Sequence, residues 1–350
     1  MALGPGNHEV RKLQATGGST FTLSLPKQWV TENRLESRDS LRVDWRPSGA
    51  LRITPLDHSA SLEQHVNFNF DMLPENSLHD HLMGAYISGA DVISVDFEPG
   101  NRQSLKYAIR RFLRSTRGFE IIEEKEDRVE LRCLLNAGDM PLHASLNRMY
   151  LQVTSLMRDI ISVFEGGDRS FISDSEEREG EVDALLYLIE RQVRILLDSH
   201  LVATKLNLTR TQALEYANLA RCLERMMDHA FTIAKNMSEY PELIEGLPTV
   251  NPFRHIPMWQ SSLKELMINI RTRDSVRIEK ARHELKELQG ILLEYERSIL
   301  SVKQTEPWMA QSLSLSESVR RLCAYSRDFG EILLNLKIST EMVRVNKQVS

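Results

Sequence analysis

Hydrophobic and polar positions change their period along the chain. Between residues 9 and 56, short runs such as STFTLSLP alternate as strands do, and they surround a brief helical segment that starts at Pro26. Residues 66–135 predict strand, helix, strand, helix and hairpin, which is the order of a small α/β layer. We therefore expect a β domain near the N-terminus, followed by an α/β segment.

From Leu142 onward, apolar residues recur every three or four positions, as in the buried seam of a helix. Three such seams precede a proline-rich stretch at 241–257, and three more follow it. This recurrence predicts tandem three-helix bundles. The expected fold class is α+β overall, with domains at 1–58, 66–135, 142–240 and 255–345.

Two pairs of acidic residues stand beside these seams. Glu179 and Asp183 are four residues apart in one predicted helix, and Glu224 and Asp228 repeat that spacing in the next. Like charges one helical turn apart repel, and desolvation beside a packed seam adds to the cost. Helices packed side by side would bring four carboxylates together. Their hard oxygens suit ferric iron, magnesium or manganese better than a soft metal.

The same four acids have a second interpretation, as a patch of surface carboxylates without a metal. Three arginines of the same helices could then balance the negative charge: Arg191, Arg221 and Arg225. The neighbouring His229 points about 100° away around the helix, and we favour a core contact for it over support of a ligand.

Charge is distributed unevenly, although the net charge is only -5. Residues 1–56 carry eight Lys/Arg and five Asp/Glu, which leaves 36 basic and 44 acidic residues for the remainder. A basic head on an acidic body is compatible with nucleic-acid binding. The chain has no long apolar run and no apolar secretion signal at its start, so we expect a cytoplasmic protein without membrane insertion.

The N-terminal segment RKLQATGGSTFTLSLPKQWVTENRLESRDSLRVDW resembles the swapped-hairpin domains of the AbrB/MazE/SpoVT class. Members of that class interlace as dimers, and many bind DNA through the first hairpin. Arg38 departs from the pattern, because glycine is usual there. The resemblance implies a homodimer that contacts DNA phosphates through Arg11, Lys12, Ser19, Thr20 and Lys27. A pure dimerisation module without DNA contacts is the alternative.

The segment LERMMDHAFTIAKN, Leu223 to Asn236, resembles the Leu-Glu-Arg-x-x-Asp-His-Ala-x-x-Ile-Ala pattern of the PhoU family, and EVDALLYLIERQ resembles its companion helix. PhoU proteins are tandem three-helix bundles that regulate phosphate uptake and signalling. Their Glu/Asp-x-x-x-Asp pairs bind clusters of iron or zinc. The resemblance therefore implies metal ligands at Glu179, Asp183, Glu224 and Asp228. With the N-terminal domain, the chain looks like an archaeal type of phosphate-uptake regulator that acts on a transporter or a signalling kinase.

The second predicted bundle lacks these acids, since Arg320 and Ala324 align with the positions of Glu224 and Asp228. At most one metal cluster is therefore expected. A carboxylate-bridged di-iron enzyme is a remote alternative, but its sites use Glu-x-x-His pairs, and none of the ten histidines follows a glutamate at that spacing. Glu279 and His283 lie opposite a seam, hence in solvent. We expect a regulator without enzymatic activity.

Overall fold

The computed structural model describes residues 9–16, 18, 20–45, 50–56, 63–98, 100, 102–240, 251–302 and 308–342. The chain divides into two units, 1–63 and 64–350. Short strand pairs come first, a mixed sheet follows, and long helices fill the remainder. The predicted α+β fold class with helical bundles is therefore confirmed. The four finer domain limits stay predictions.

The first unit contains two antiparallel strand pairs and one short helix. Strands β1 (Gln14–Thr16) and β2 (Thr20–Thr22) pair first, and β3 (Leu41–Trp45) pairs with β4 (Leu51–Pro55). Between the pairs lies α1 (Lys27–Glu32), with Pro26 at its N-cap. Arg38 adopts a φ of 85°, a backbone region that glycine enters at least cost. The turn residues at 17 and 47–49, which were predicted to join the strands, lie outside the described residues.

No described residue between 9 and 56 is buried. Large apolar side chains in the strands and beside them are instead exposed: Val10, Leu13, Phe21, Leu23, Val43, Leu51 and Leu56. A fold of this size gains too little from burial to be stable without a further surface. The described part of this unit therefore has no hydrophobic core of its own.

The second unit begins with a four-stranded sheet and two helices. The chain runs through β5 (His65–Asn69), α2 (Leu78–Ser88), β6 (Val92–Asp96), α3 (Arg102–Ser115), β7 (Phe119–Glu124) and β8 (Arg128–Cys133). The strand order is β5-β6-β8-β7, with β5 parallel to β6 and the other neighbours antiparallel. The predicted order of elements is confirmed. Since β5 and β6 are parallel, α2 and α3 both start at the same edge of the sheet.

The helical part follows the predicted seams. Its helices are α4 (Leu142–Phe164), α5 (Ser175–Asp198), α6 (His200–Leu206), α7 (Arg210–Glu239), α8 (Ile256–Thr272), α9 (Ser275–Leu300) and α10 (Trp308–Glu341). The short helix α6 was not predicted, because its seven residues are too few to show a period. Helix α5 includes the polar stretch 175–178, where no apolar period predicts a helix. Arg178 stabilises this first turn, because it binds Asp174 at 2.9 Å and Asp159 on α4 at 2.5 Å.

A continuous apolar core joins all the long helices. Helix α7 packs against α4 and α5 on one side and against α10 on the other, so the core passes through it. Its start is fixed by a capping box, in which Thr209 and Gln212 bond each other's backbone amides. No helix among the described residues is long and apolar enough to cross a membrane.

Candidate metal centre

Helices α5 and α7 run antiparallel beside each other, and this alignment positions the acidic residues. Arg221 of α7 forms an ion pair with Glu190 of α5. One and two turns further along α7, the side chains of Glu224 and Asp228 come within electrostatic reach of Asp183. The residue numbers rise on one helix as they fall on the other, which is the order of an antiparallel pair.

The two predicted pairs of carboxylates influence each other across this helix pair. Burial raises the pKa of Glu179 to about 7, and the charges of Asp183 and Asp228 add to the rise. Burial likewise raises the pKa of Glu224 to about 7, with further contributions from Asp228 and Asp183. The structure therefore brings the two sequence pairs together into one acidic cluster.

The aspartates of this cluster behave in the same way. Burial raises the pKa of Asp183 to about 6, and the charge of Asp228 adds to it. The pKa of Asp228 is also raised by burial, although Arg225 opposes the rise. Asp228 is the most exposed of the four, while the others are half-buried. Because every pKa is raised, nearby positive charge does not fully offset the desolvation and repulsion.

The three arginines that could balance the cluster are largely engaged elsewhere. Arg191 is only 3% exposed, and it donates to the Tyr86 carbonyl at 2.8 Å and to Asp91 at 3.4 Å. Arg221 pairs with Glu190, and the Arg225 guanidinium lies 5.5 Å from the centre of the Tyr325 ring. Arg225 and Arg221 still lower the pKa of Glu224, but not enough to restore its ordinary value. These arginines therefore leave part of the negative charge of the cluster unbalanced.

Tyr187 belongs to this neighbourhood and was missed in the sequence. It stands one turn after Asp183 on α5, and its side chain also packs against the core of the α/β layer. Burial raises the pKa of its phenol, and the charges of Asp183 and Glu224 contribute. The spacing of four from Asp183 was the available signal. In the sequence, however, its aromatic ring cannot be distinguished from the apolar residues of the Val182–Leu196 seam.

The donor set suits a hard cation, since carboxylate oxygens are the preferred ligands of such ions. Among the described residues, however, no group of three or more His, Cys, Asp or Glu side chains is arranged closely enough to hold a metal ion. Half-exposed Glu and Asp side chains change rotamer rapidly. The chemistry of the cluster fits a cation, and its side chains would have to rotate inward to bind one.

His229 lies on the side of α7 that meets α10. Its ring stacks on Tyr325 with centroids 5.9 Å apart and planes 30° apart. Burial lowers its pKa, as does the charge of Arg321. His229 is therefore a half-buried residue that contacts α10. Tyr325, which the sequence left unexplained, is the partner of both His229 and Arg225.

In the second helical triplet, α8 to α10, an ion pair occupies the position that corresponds to the acidic cluster of the first triplet. Arg320 Nε lies 3.2 Å from Glu296 Oε1, and Ser316 donates to the same oxygen at 3.0 Å. Glu279 binds Arg282 at 2.6 Å, and His283 approaches Glu287 at 3.2 Å on the exposed side of α9. Glu279 and His283 thus lie in solvent, which gives no support to a di-iron centre at this pair.

The basic residues predicted to contact DNA are exposed in the first unit. Arg11 pairs with Glu9, and Thr20 lies in β2. Lys12 and Lys27 form no ion pair with a residue that the structure describes. Ser19 lies outside the described residues. These positions make the side chains accessible, and DNA binding itself stays a prediction.

Residues 146–237 match the family model of the PhoU domain. The matched stretch runs from α4 to α7 and includes all four carboxylates of the acidic cluster. A comparison with curated proteins found no match. The similarity of the first helical triplet to the PhoU domain indicates an involvement in phosphate regulation.

Proposed function

We propose that this protein regulates phosphate uptake and phosphate signalling, and that Glu179, Asp183, Glu224 and Asp228 bind a metal ion as part of that role. The observation that carries the proposal is that the two acidic pairs act on each other across α5 and α7, within the PhoU-like triplet, and that all four pKa values are raised. A bound divalent or ferric ion, such as iron, zinc, magnesium or manganese, would remove their repulsion. The regulated partner would be a phosphate transporter or a signalling kinase.

Metal titration of the full chain after chelation tests this site. We expect Mn²⁺ or Fe³⁺ to raise the melting temperature, because an ion at 100 times its Kd stabilises the folded state by about 2.7 kcal/mol. The double variant Asp183→Asn, Asp228→Asn should lose the bound metal in elemental analysis and should lose the stabilisation. Uncharged amides of the same shape remove the charge without creating a cavity.

The matched control is Glu177→Gln, Glu215→Gln, which removes two acids from the same helices outside the cluster. It should bind metal as the wild type does. Wild-type metal content in the Asp183, Asp228 variant would exclude this site. Equal loss in the control would mean that binding depends on the overall charge of the bundle.

A second proposal concerns the first unit, because its described residues bury no side chain and expose seven large apolar ones. We propose that a second copy of the chain covers these residues, and that the resulting homodimer contacts DNA phosphates. The contacts would come from the first hairpin and the start of α1, through Arg11, Lys12, Ser19, Thr20 and Lys27. Lys12 and Lys27 are exposed and pair with no acid among the described residues, which supports this role.

A salt titration of duplex binding tests the DNA contacts. The slope of log K against log salt concentration is negative, and each lost phosphate contact reduces its magnitude by about 0.9. In a dimer, Lys12→Ala, Lys27→Ala should therefore flatten the slope by roughly 3 to 4. The control Lys264→Ala, Lys286→Ala in the second unit should leave the slope unchanged. A wild-type dimer that binds no duplex at low salt would establish the pure dimerisation module instead.

A further inference from the structure

A cleft of about 490 Å³ opens at one edge of the α/β layer. Its walls include Phe70, which directly follows β5, and residues from the first turns of α2 and α3. Both helices start at the carboxyl ends of the parallel strands β5 and β6. Helices α2 and α3 contact each other, and the cleft opens between their first turns. The cleft also has the volume of a small-molecule site.

One basic residue, Arg111 of α3, lines this cleft. Helix α3 carries five basic residues and no acid over Arg102–Ser115. Two of them, Arg102 and Lys106, are paired with Glu124 at 2.9 and 2.8 Å. Arg111 lines the cleft, is exposed, and forms no ion pair with a described residue. An anionic group is therefore the natural partner for Arg111.

Polar groups surround this cation at the starts of the two helices. Asn76 precedes α2, and Gln103 and Ser104 lie in the first turn of α3. Residues of both first turns line the cleft, and the backbone amides of a helix's first turn favour negative charge. His79 also lines the cleft, and its Nδ1 is a buried nitrogen without a hydrogen-bond partner among the described residues. Burial and Arg111 lower the pKa of His79, so its ring is neutral at pH 7.

The remaining wall is apolar and aromatic. Phe70, Leu78 and Ala108 line it, and the Tyr107 side chain stands at the rim with 74% of its surface exposed. An exposed tyrosine ring above an apolar floor provides a platform on which a planar ring can stack. The cleft thus offers an anion site and a stacking site within one small volume.

We propose that this cleft binds a nucleoside monophosphate. The phosphate would bind Arg111 and the first turns of α2 and α3, and the base would stack on Tyr107 against Phe70 and Leu78. The cleft is formed entirely by residues before 146, so it is separate from the PhoU-like match and from the acidic cluster. The proposal is therefore independent of metal binding.

Calorimetric titration of the full chain with AMP tests the proposal, with adenosine and orthophosphate as partial ligands. Arg111→Gln should weaken AMP binding at least about tenfold, which corresponds to the loss of one charge-assisted contact. Tyr107→Ala should weaken the binding of AMP and of adenosine, but not of orthophosphate. The matched control is Arg110→Gln, which removes the same charge from the neighbouring exposed position outside the cleft. It should change the affinity by less than about twofold.

Three results would overturn the proposal. Wild-type protein that shows no binding of AMP at about 5 mM has no such site. Equal effects of Arg110→Gln and Arg111→Gln would show diffuse attraction to a basic helix rather than a built site. Orthophosphate that binds as tightly as AMP, together with a silent Tyr107→Ala, would reduce the cleft to a simple anion site. Circular dichroism confirms that each variant is folded, and metal content tests the acidic cluster separately.

Discussion

Replacing Arg191 by methionine is expected to lower the free energy of unfolding by about 2–4 kcal/mol. This side chain is 3% exposed and connects α5 to the α/β layer. Its Nη1 donates to the Tyr86 carbonyl in the last turn of α2 at 2.8 Å, and its Nη2 lies 3.4 Å from Asp91. Methionine retains the length of the chain but removes every one of these polar contacts.

Aromatic contacts add to the role of Arg191. Its guanidinium carbon lies 5.2 Å from the Tyr86 ring centre and 5.5 Å from that of Phe119. These rings also pack edge to face with Phe112, so the cation stands over the aromatic core of the α/β layer. Arg191→Lys keeps the charge but not the planar fork of donors, and it should cost less than the methionine variant.

Urea unfolding of the metal-free protein measures the loss, and hydrogen exchange locates it. Exchange of the α2 amides should become faster in Arg191→Met, while α9 should be unaffected. The control is Arg194→Met on the exposed side of α5, which should change stability by less than about 0.5 kcal/mol. If both variants lose the same stability, the buried contacts of Arg191 contribute nothing beyond surface charge.

The role of Arg191 shows which features the sequence could not predict. Its spacing within α5 suggested a partner among the nearby acids, yet its actual partners, Tyr86 and Asp91, lie about 100 residues earlier in the chain. The helices themselves were predictable because the period of apolar residues is local. The nucleotide cleft was not, since it forms only where the first turns of α2 and α3 meet at one sheet edge.

The acidic cluster was predictable only in part, unlike the helices, which were predictable, and the cleft, which was not. Each pair, Glu179 with Asp183 and Glu224 with Asp228, is local and visible as a spacing of four. Their meeting depends on the antiparallel alignment of α5 with α7, which the PhoU resemblance implied and the structure places through contacts such as that of Arg221 with Glu190. The partners of Arg191 and Arg225, which decide how much charge remains unbalanced, required the structure.

Acidification from pH 8 to pH 5 is expected to stabilise the metal-free protein through this cluster, by about 2 kcal/mol after solvent screening of the half-exposed groups. Glu179 and Glu224 titrate near pH 7 in the folded state, but near their ordinary pKa of about 4.3 when unfolded. Between these values the folded state holds protons that the unfolded chain has released. Stability therefore falls as pH rises through this window and levels off above pH 7.

Histidines oppose this trend, so the comparison must be made between variants. Burial lowers the pKa of His79, His229 and His255, which destabilises the folded state as pH falls below about 6.5. Asp183→Asn, Glu224→Gln removes the titration of two of the four carboxylates and leaves these histidines unchanged. The difference in melting temperature between wild type and this variant, followed from pH 8 to pH 5, isolates the cluster.

Saturating Mn²⁺ should reverse the carboxylate contribution, because a metal binds only deprotonated carboxylates and competes with protons for them. Stability of the wild type should then rise with pH over the same window, while the Asp183, Glu224 variant should be unaffected by the ion. A wild type whose pH profile matches that of the variant, both with and without Mn²⁺, would show that the four acids are solvated independently. In that case the acids on α5 and α7 would neither raise one another's pKa nor bind a cation together.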